Sequence, residues 1–93
     1  MVRVNFGQIR YVESLSDYVK IHLEAGHIVT RETISNIEAR LPQADFLRIH
    51  RSYIVSMHHI DAFTHEDVQL QETELPISRS FRAQVLARLG QTK

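Results

Sequence analysis

Phe46-Leu47-Arg48-Ile49-His50-Arg51-Ser52-Tyr53-Ile54-Val55 is the stretch on which the reading of this chain turns. It sets a compact group of polar residues, Arg48, His50, Arg51 and Ser52, among apolar ones that need burial. If Phe46, Ile49, Tyr53 and Ile54 anchor a core, the polar side chains are held outward on a stiff base. Phe46–His50 reads as a strand and Ser52–Val55 as a second short extended or turn-like piece. Pro76-Ile77-Ser78-Arg79-Ser80-Phe81-Arg82 is a stretch of the same kind. There Ser-Arg-Ser opens a helix, whose N-terminal amides favour a phosphate oxygen, with Arg79 and Arg82 adding charge beside it. Two such sites offering Ser, His and Arg suit positioning on a phosphate backbone, with one or two arginines left to read base edges.

Working outward, the N-terminal part reads as β-structure. Val2, Val4 and Phe6 alternate with Arg3 and Asn5, the period of a half-buried strand. Ile9–Glu13 is a second strand, followed by Ser14-Leu15-Ser16-Asp17, a polar break suited to a turn. Tyr18–Leu23 is rich in β-formers, and Glu24-Ala25-Gly26-His27 turns it into Ile28–Arg31 as a hairpin. Ile34, Ile37 and Leu41 then fall at helical spacing, with Ser35 and Glu38 resembling a capping box and Pro42 closing the helix. Ile60–Phe63, Val68–Gln71 and Leu75–Ile77 are short strand candidates. Phe81, Val85, Leu86 and Leu89 form one face of a C-terminal helix, capped by Ser78 or Ser80 and ended near Gly90. The sum is six to eight short strands and two short helices without a βαβ unit, a mainly β domain of antiparallel sheets.

Length and composition agree with one small globular domain. The chain has 93 residues, 43% of them apolar and 24% charged, with three Gly and two Pro. No cysteine is present, so disulfides, thiolate metal sites and a cysteine nucleophile are excluded. No apolar run reaches the roughly 18–20 residues of a membrane span, and the start lacks the features of a signal peptide, which makes the cytoplasm the expected compartment. The net charge is zero, but the charges are sorted by region. Asp61–Glu74 carries Asp61, Glu66, Asp67, Glu72 and Glu74 and no Lys or Arg, whereas Leu75–Lys93 carries Arg79, Arg82, Arg88 and Lys93 and no acid. Nine of the eleven Lys and Arg residues are Arg, whose planar fork matches phosphate and guanine edges. On composition alone, solvated faces and salt bridges are the more frequent reason for charge blocks of this size.

Catalysis and metal binding find little support. His58 and His59 are adjacent, so on a strand they point to opposite faces; His22 and His27 flank a turn, and His65 lies in the acidic stretch. No zinc-type ligand spacing, nucleophile elbow or Gly-rich phosphate loop occurs, and a domain this small leaves little room for a substrate pocket. The expectation is therefore a binding module that is not an enzyme, with no cofactor and no metal.

The same two polar stretches carry a family resemblance. Phe46–Val55 and Leu75-Pro76-Ile77-Ser78-Arg79-Ser80-Phe81 resemble the signature of the LytTR DNA-binding domain of bacterial response regulators. Ile9-Arg10-Tyr11-Val12-Glu13-Ser14, Asp17-Tyr18-Val19 and the helix ending at Leu41 resemble it as well, so that the likeness runs from Ile9 to Leu89. It implies antiparallel sheets in an elongated β-β-β arrangement with one short mid-chain helix and a C-terminal helix. It also implies loops, rather than a recognition helix, entering successive major grooves from one side of the duplex. Carried over by position, base-reading falls to Arg51, Arg79 and the Ser14–Tyr18 loop with Asp17 and Tyr18. Phosphate contacts fall to Lys20, Arg48, His50, Ser52, Ser78, Ser80 and Arg82. Asp17, an acid facing DNA, would need a cytosine amino group or a basic neighbour. Residues 1–93 would be one such domain, a fragment lacking an N-terminal strand and the upstream receiver domain of a two-component regulator. Its partner would be double-stranded DNA carrying promoter repeats, on which a homodimer could assemble; no membrane is implied.

Alternatives stand beside these roles. Arg48 could pair with Asp45 or Glu38, and His50 could be a semi-buried structural histidine. Tyr53 and Phe81 read as core residues, and Ser78 or Ser80 as a helix cap. A rival for the whole chain is a protein-interaction or regulatory β-domain that pairs with a partner through an exposed strand edge, a role suited by the acidic stretch.

Overall fold

A computed structural model of the chain describes residues 5–90. The strands are β1 (Ile9–Leu15), β2 (Tyr18–Leu23), β3 (His27–Thr30), β4 (Phe46–His50), β5 (Tyr53–Ser56), β6 (Ala62–Phe63), β7 (Asp67–Leu70) and β8 (Thr73–Pro76). The helices are α1 (Ile34–Arg40) and α2 (Arg79–Gly90). One antiparallel sheet has the order β3-β2-β1-β5-β4 and a second the order β6-β7-β8. The body is elongated, 37 × 23 × 23 Å. This is the mainly β, two-helix domain that the sequence pattern and the family likeness imply.

The five-stranded sheet separates two cores. Strand residues alternate between its faces, so each strand contributes to both. On one face Ile9, Val12, Val19, Phe46 and Ile54 pack with Ile34, Ile37 and Leu41 of the α1 segment. On the other, Tyr11, Leu47, Ile49 and Val55 pack with Val68, Leu70, Leu75 and Ile77 of the second sheet and with Val85 and Leu89 of α2. Of the four expected anchors, Phe46, Ile49 and Ile54 are buried and Tyr53 is half-buried.

Two bulges set where the polar residues point. Arg48 pairs with Ile54 and His50 with Tyr53, leaving Ile49 as an extra residue in β4. The insertion places Ile49 fully in the second core and turns His50 to the side of Tyr53, their ring centroids 5.5 Å apart. A similar irregularity between Ile9 and Tyr11 frees Arg10, which donates to the Leu70 carbonyl (3.3 Å) and lies near Thr73 Oγ1, tying the first sheet to the β7–β8 turn.

Several local expectations need correction. Of the strand expected over Val2–Phe6, Val2 and Val4 lie outside the described residues, while Phe6 opens a 3₁₀ turn, Phe6–Gln8. Ser14 and Leu15 are strand, not loop: the β1–β2 connection is only Ser16-Asp17, with Ser16 at φ 57°. The strand expected over Ile60–Phe63 shrinks to Ala62–Phe63, and Gln71 leaves β7 to form the β7–β8 turn at φ 54°. Thr33, not Ser35, caps α1: its hydroxyl accepts from Asn36 N–H (3.1 Å), and Glu38 turns to Arg48 instead of completing a box.

A half-buried polar cluster lies on the second core's face. His22 stacks on Tyr11 at 4.0 Å, while its Nε2 is 3.0 Å from Glu13 Oε1. Burial pushes the His22 imidazole below its ordinary value of 6.5, outweighing the opposing effect of Glu13. The contact with Glu13 is thus a hydrogen bond from a neutral ring near pH 7.

Two outcomes follow for stability. Thr33→Ala should cost about 1 kcal/mol in urea denaturation, whereas Ser35→Ala should stay within about 0.5 kcal/mol. Because the folded pKa of His22 is depressed, its contribution is complete above 6.5 and is lost as pH falls through the folded value. Unfolding free energy measured between about pH 7.5 and pH 5 should therefore drop less in His22→Gln than in wild type. Equal drops would refute this role for His22.

Candidate nucleic-acid interface

Antiparallel pairing brings distant parts of the sequence to one end of the large sheet. Leu15 opposite Tyr18 closes β1–β2, and His50 opposite Tyr53 closes β4–β5. Since β1 and β5 are neighbours, both turns emerge on the same side. Two backbone hydrogen bonds fix them to each other and to α2. Ser14 N–H donates to the Ser52 carbonyl (2.9 Å), and Ser78 N–H donates to the Ile49 carbonyl (3.0 Å). The three expected reading elements are thus joined edge to edge, though they lie far apart in the chain.

The Arg51-Ser52 turn is held from inside. Arg48 donates from Nε to the His50 carbonyl (2.8 Å), from Nη2 to the Arg51 carbonyl (2.6 Å) and from Nη1 to Glu38 Oε1 (2.6 Å). Its guanidinium also lies 5.7 Å from the Phe81 ring centroid, a cation–π contact with α2. Ser52 N–H donates to His50 Nδ1 (3.0 Å). That assigns the proton of the neutral ring to Nε2, leaving Nε2–H as a donor. The carbonyls of Arg51 and Ser52 and the Ser52 N–H are thus all met within the protein, without the Arg51 side chain.

The expected site residues fall into two groups. Asp17, Tyr18, Arg51, Arg79 and Ser80 are exposed at the shared end, with Ser52, His50 and Ser78 half-buried beside them. Neither Arg51 nor Arg79 has a side-chain hydrogen bond or ion pair among the described residues. Ser78 and Ser80 hydroxyls are 3.4 Å apart, and the Ser78 carbonyl accepts from Phe81 N–H (3.1 Å) at the start of α2. The second group is drawn inward or set back. The Arg48 side chain is only 11% exposed, and of its two suggested carboxylates it takes Glu38; Asp45 instead meets His58 at 2.9 Å. Arg82 is half-buried, with Nη2 directed at the Ile77 carbonyl and a buried Nε lacking a partner. Lys20 is half-buried within β2, opposite Glu13 and away from the tip.

Acids frame this end. The β6–β7 turn reaches it through Ile77 N–H donating to the Glu66 carbonyl (2.8 Å), which sets exposed Glu66 at one flank. The histidines are used locally: His59 joins the buried Ser56 hydroxyl to Glu24, both at 2.9 Å. Among the described residues no three His, Asp or Glu side chains converge as a metal site. No described helix is long and apolar enough to cross a membrane.

Sequence reasoning missed one cation at this end. Thr30 pairs with Val19, so Arg31, leaving β3, sits beside Tyr18 with its guanidinium 6.0 Å from the ring centroid. The hairpin register contained this signal, but the likeness between motifs did not extend to it.

Comparisons with known proteins agree with this geometry. The chain is similar to the sensory transduction protein LytT of Bacillus anthracis, 31% identical over 87 residues, covering 87% of this chain and 35% of that protein. It is also similar to the CO-responsive transcriptional regulator RcoM of Rhodospirillum rubrum, 37% identical over 60 residues, covering 64% of this chain and 25% of that protein. The chain thus spans about a third or less of the length of these relatives. Among solved structures, a LytTr DNA-binding domain from Bacillus cereus superposes with a TM-score of 0.85 at 26% identity, covering 96% of this chain and 87% of that one. Residues 1–90 match the LytTr DNA-binding domain family, and the chain belongs to that family.

Proposed function

We propose that this chain is a sequence-specific double-stranded DNA-binding domain, the output module of a bacterial two-component transcription regulator acting in the cytoplasm. The observation that carries the proposal is the shared end of the sheet. Three segments remote in sequence are hydrogen-bonded together there, with the Arg51 and Arg79 guanidinium groups left without partners among the described residues. Asp17, Tyr18, Arg51 and Arg79 read base edges in successive major grooves, the two arginines through bidentate contacts to guanine. His50 through Nε2–H, Ser52, Ser78 and Ser80 hold phosphates, and Lys20 and Arg82 contribute charge at the margins. Arg48, with its donors on Glu38 and two carbonyls, braces the turn rather than touching phosphate.

Relatives named for sensory transduction and transcriptional regulation, of which the chain matches only part, support an output role beside a sensing part such as a receiver domain. Assembly as a homodimer on repeated half-sites would raise occupancy through linkage. A second reading rests on β3, the outermost described strand on its side, where Val29 is 50% exposed. Pairing through that edge would bind a protein partner with little dependence on salt.

Selection from a pool of random-sequence duplexes, followed by titration at several salt concentrations, tests the assignment. Wild-type protein should enrich a motif and bind it with a log-log salt slope of about −0.9 per neutralised phosphate. Arg51→Ala and Arg79→Ala should each lose about 1–3 kcal/mol of discrimination between the selected and a mixed-sequence duplex. A folded wild-type protein with no motif and no salt dependence would overturn the reading. Arg48→Lys should behave differently, because an ammonium cannot span the carboxylate and both carbonyls. We expect it to lose about 1–3 kcal/mol of folding stability and much of the sequence preference, with the salt slope retained. A reduced slope in that variant would make Arg48 a phosphate contact after all.

A further inference from the structure

We infer that Arg31 is an additional phosphate contact, extending the DNA footprint beyond the β1–β2 turn to the outer strand of the sheet. The inference rests on the DNA-binding reading above but concerns a residue that neither the sequence motifs nor that reading include.

Placement is the first argument. Both turns and the C-terminal end of β3 lie at the same end of the sheet, because β3 runs antiparallel to β2 and β2 antiparallel to β1. Across that end the order is Arg31, the Ser16-Asp17 turn with Tyr18, the Arg51-Ser52 turn, and then Ser78-Arg79. Five strands at roughly 4.8 Å spacing make this row about 19 Å wide before α2 is added. Arg31 and Arg79 are its outer cations.

The second argument is that Arg31 is uncommitted and yet oriented. It is exposed and makes no ion pair among the described residues. Its neighbour Glu32 is occupied: Asn36 Nδ2 donates to it (3.0 Å), Arg40 pairs with it, and these contacts hold its carboxylate below the usual range. The Tyr18 ring steers the Arg31 guanidinium along the tip, at one wall of a shallow hollow lined by Ser16, Asp17, Arg31, Glu32 and Thr33. A cation–π contact of this kind uses the face of the guanidinium and leaves its N–H donors free for a phosphate oxygen.

A third point is electrostatic. Asp17 is the exposed acid at the tip of the first turn and would repel a phosphate passing it. A cation on the same hollow offsets that charge, so the turn can approach the backbone while Asp17 stays available to a base amino group.

The test compares wild type, Arg31→Gln and Arg31→Lys on a labelled mixed-sequence duplex and on the selected duplex. Circular dichroism and urea denaturation verify that each variant is folded. Arg31→Gln should lower the magnitude of the log-log salt slope by about 0.9, so that a fourfold salt increase weakens wild type about 3.5 times more than the variant. The preference for the selected over the mixed duplex should be unchanged. Arg31→Lys should restore the slope. A wild-type slope in Arg31→Gln, or a Lys variant that behaves like Gln, overturns the inference while the DNA reading survives. Absence of salt-dependent binding by wild type overturns both.

Discussion

The guanidinium of Arg48 is the tie on which the rest of the structure depends. It reaches α1 through Glu38, the β4–β5 turn through two carbonyls, and α2 through the face of Phe81. Each of these groups would otherwise be a half-buried polar atom or an unanchored ring. Charge-assisted hydrogen bonds in a partly desolvated place are stronger than neutral ones, and leaving their partners unmet is costly. One side chain therefore fixes the relation between the sheet and both helices, and with it the relative position of the exposed tips. The joint between the two motifs is completed by backbone alone, since Ser78 N–H donates to the Ile49 carbonyl.

Much of this was legible in the sequence, for reasons that differ element by element. Tyr18–Leu23 and Phe46–His50 have the bounds read from their residue types because each carries enough β-formers between polar breaks. The two helices followed from apolar spacing. What the pattern could not give was the bulge at Ile49, since an extra residue in one strand is visible only against its partner. Nor could it choose between Thr33 and Ser35 as the cap of α1. Both have hydroxyls, and the choice depends on which residue keeps an extended backbone. The strand at Ile60–Phe63 was overestimated because Ile60 is apolar for packing, not for strand pairing. Among the candidate site residues, sequence proximity to acids was informative: Arg51 and Arg79 have no nearby acid in the chain and make no ion pair among the described residues. Arg48, ten positions from Glu38, is paired across elements. Arg31 escaped notice because its relation to Tyr18 is a matter of hairpin register.

Zero net charge coexists with a cationic end because the sheets divide the labour. The acidic stretch builds the second sheet, where Asp61 accepts from Gln71 N–H (2.6 Å) and Glu72 and Glu74 stay in solvent. Arg31, Arg51 and Arg79 are exposed at the large sheet's tips, with Arg82 and Arg88 further along α2. A polyanion meeting such a molecule is attracted at one end and repelled from the side that carries these acids, so the field selects an orientation before any hydrogen bond forms. The acid Glu66 at the flank sharpens the boundary of that attraction.

The two-residue turns at the tip have a consequence for how such domains diversify. In the Arg51-Ser52 turn both carbonyls and the Ser52 N–H are met from beneath, by Arg48, Ser14 and His50, so the Arg51 side chain is not needed to hold the turn. Arg51 and Arg79 belong to neither core and make no side-chain hydrogen bond among the described residues, so both positions can change while the cores stay intact. On the DNA-reading proposed above, recognition would then drift by single substitutions at the tip without unfolding the scaffold.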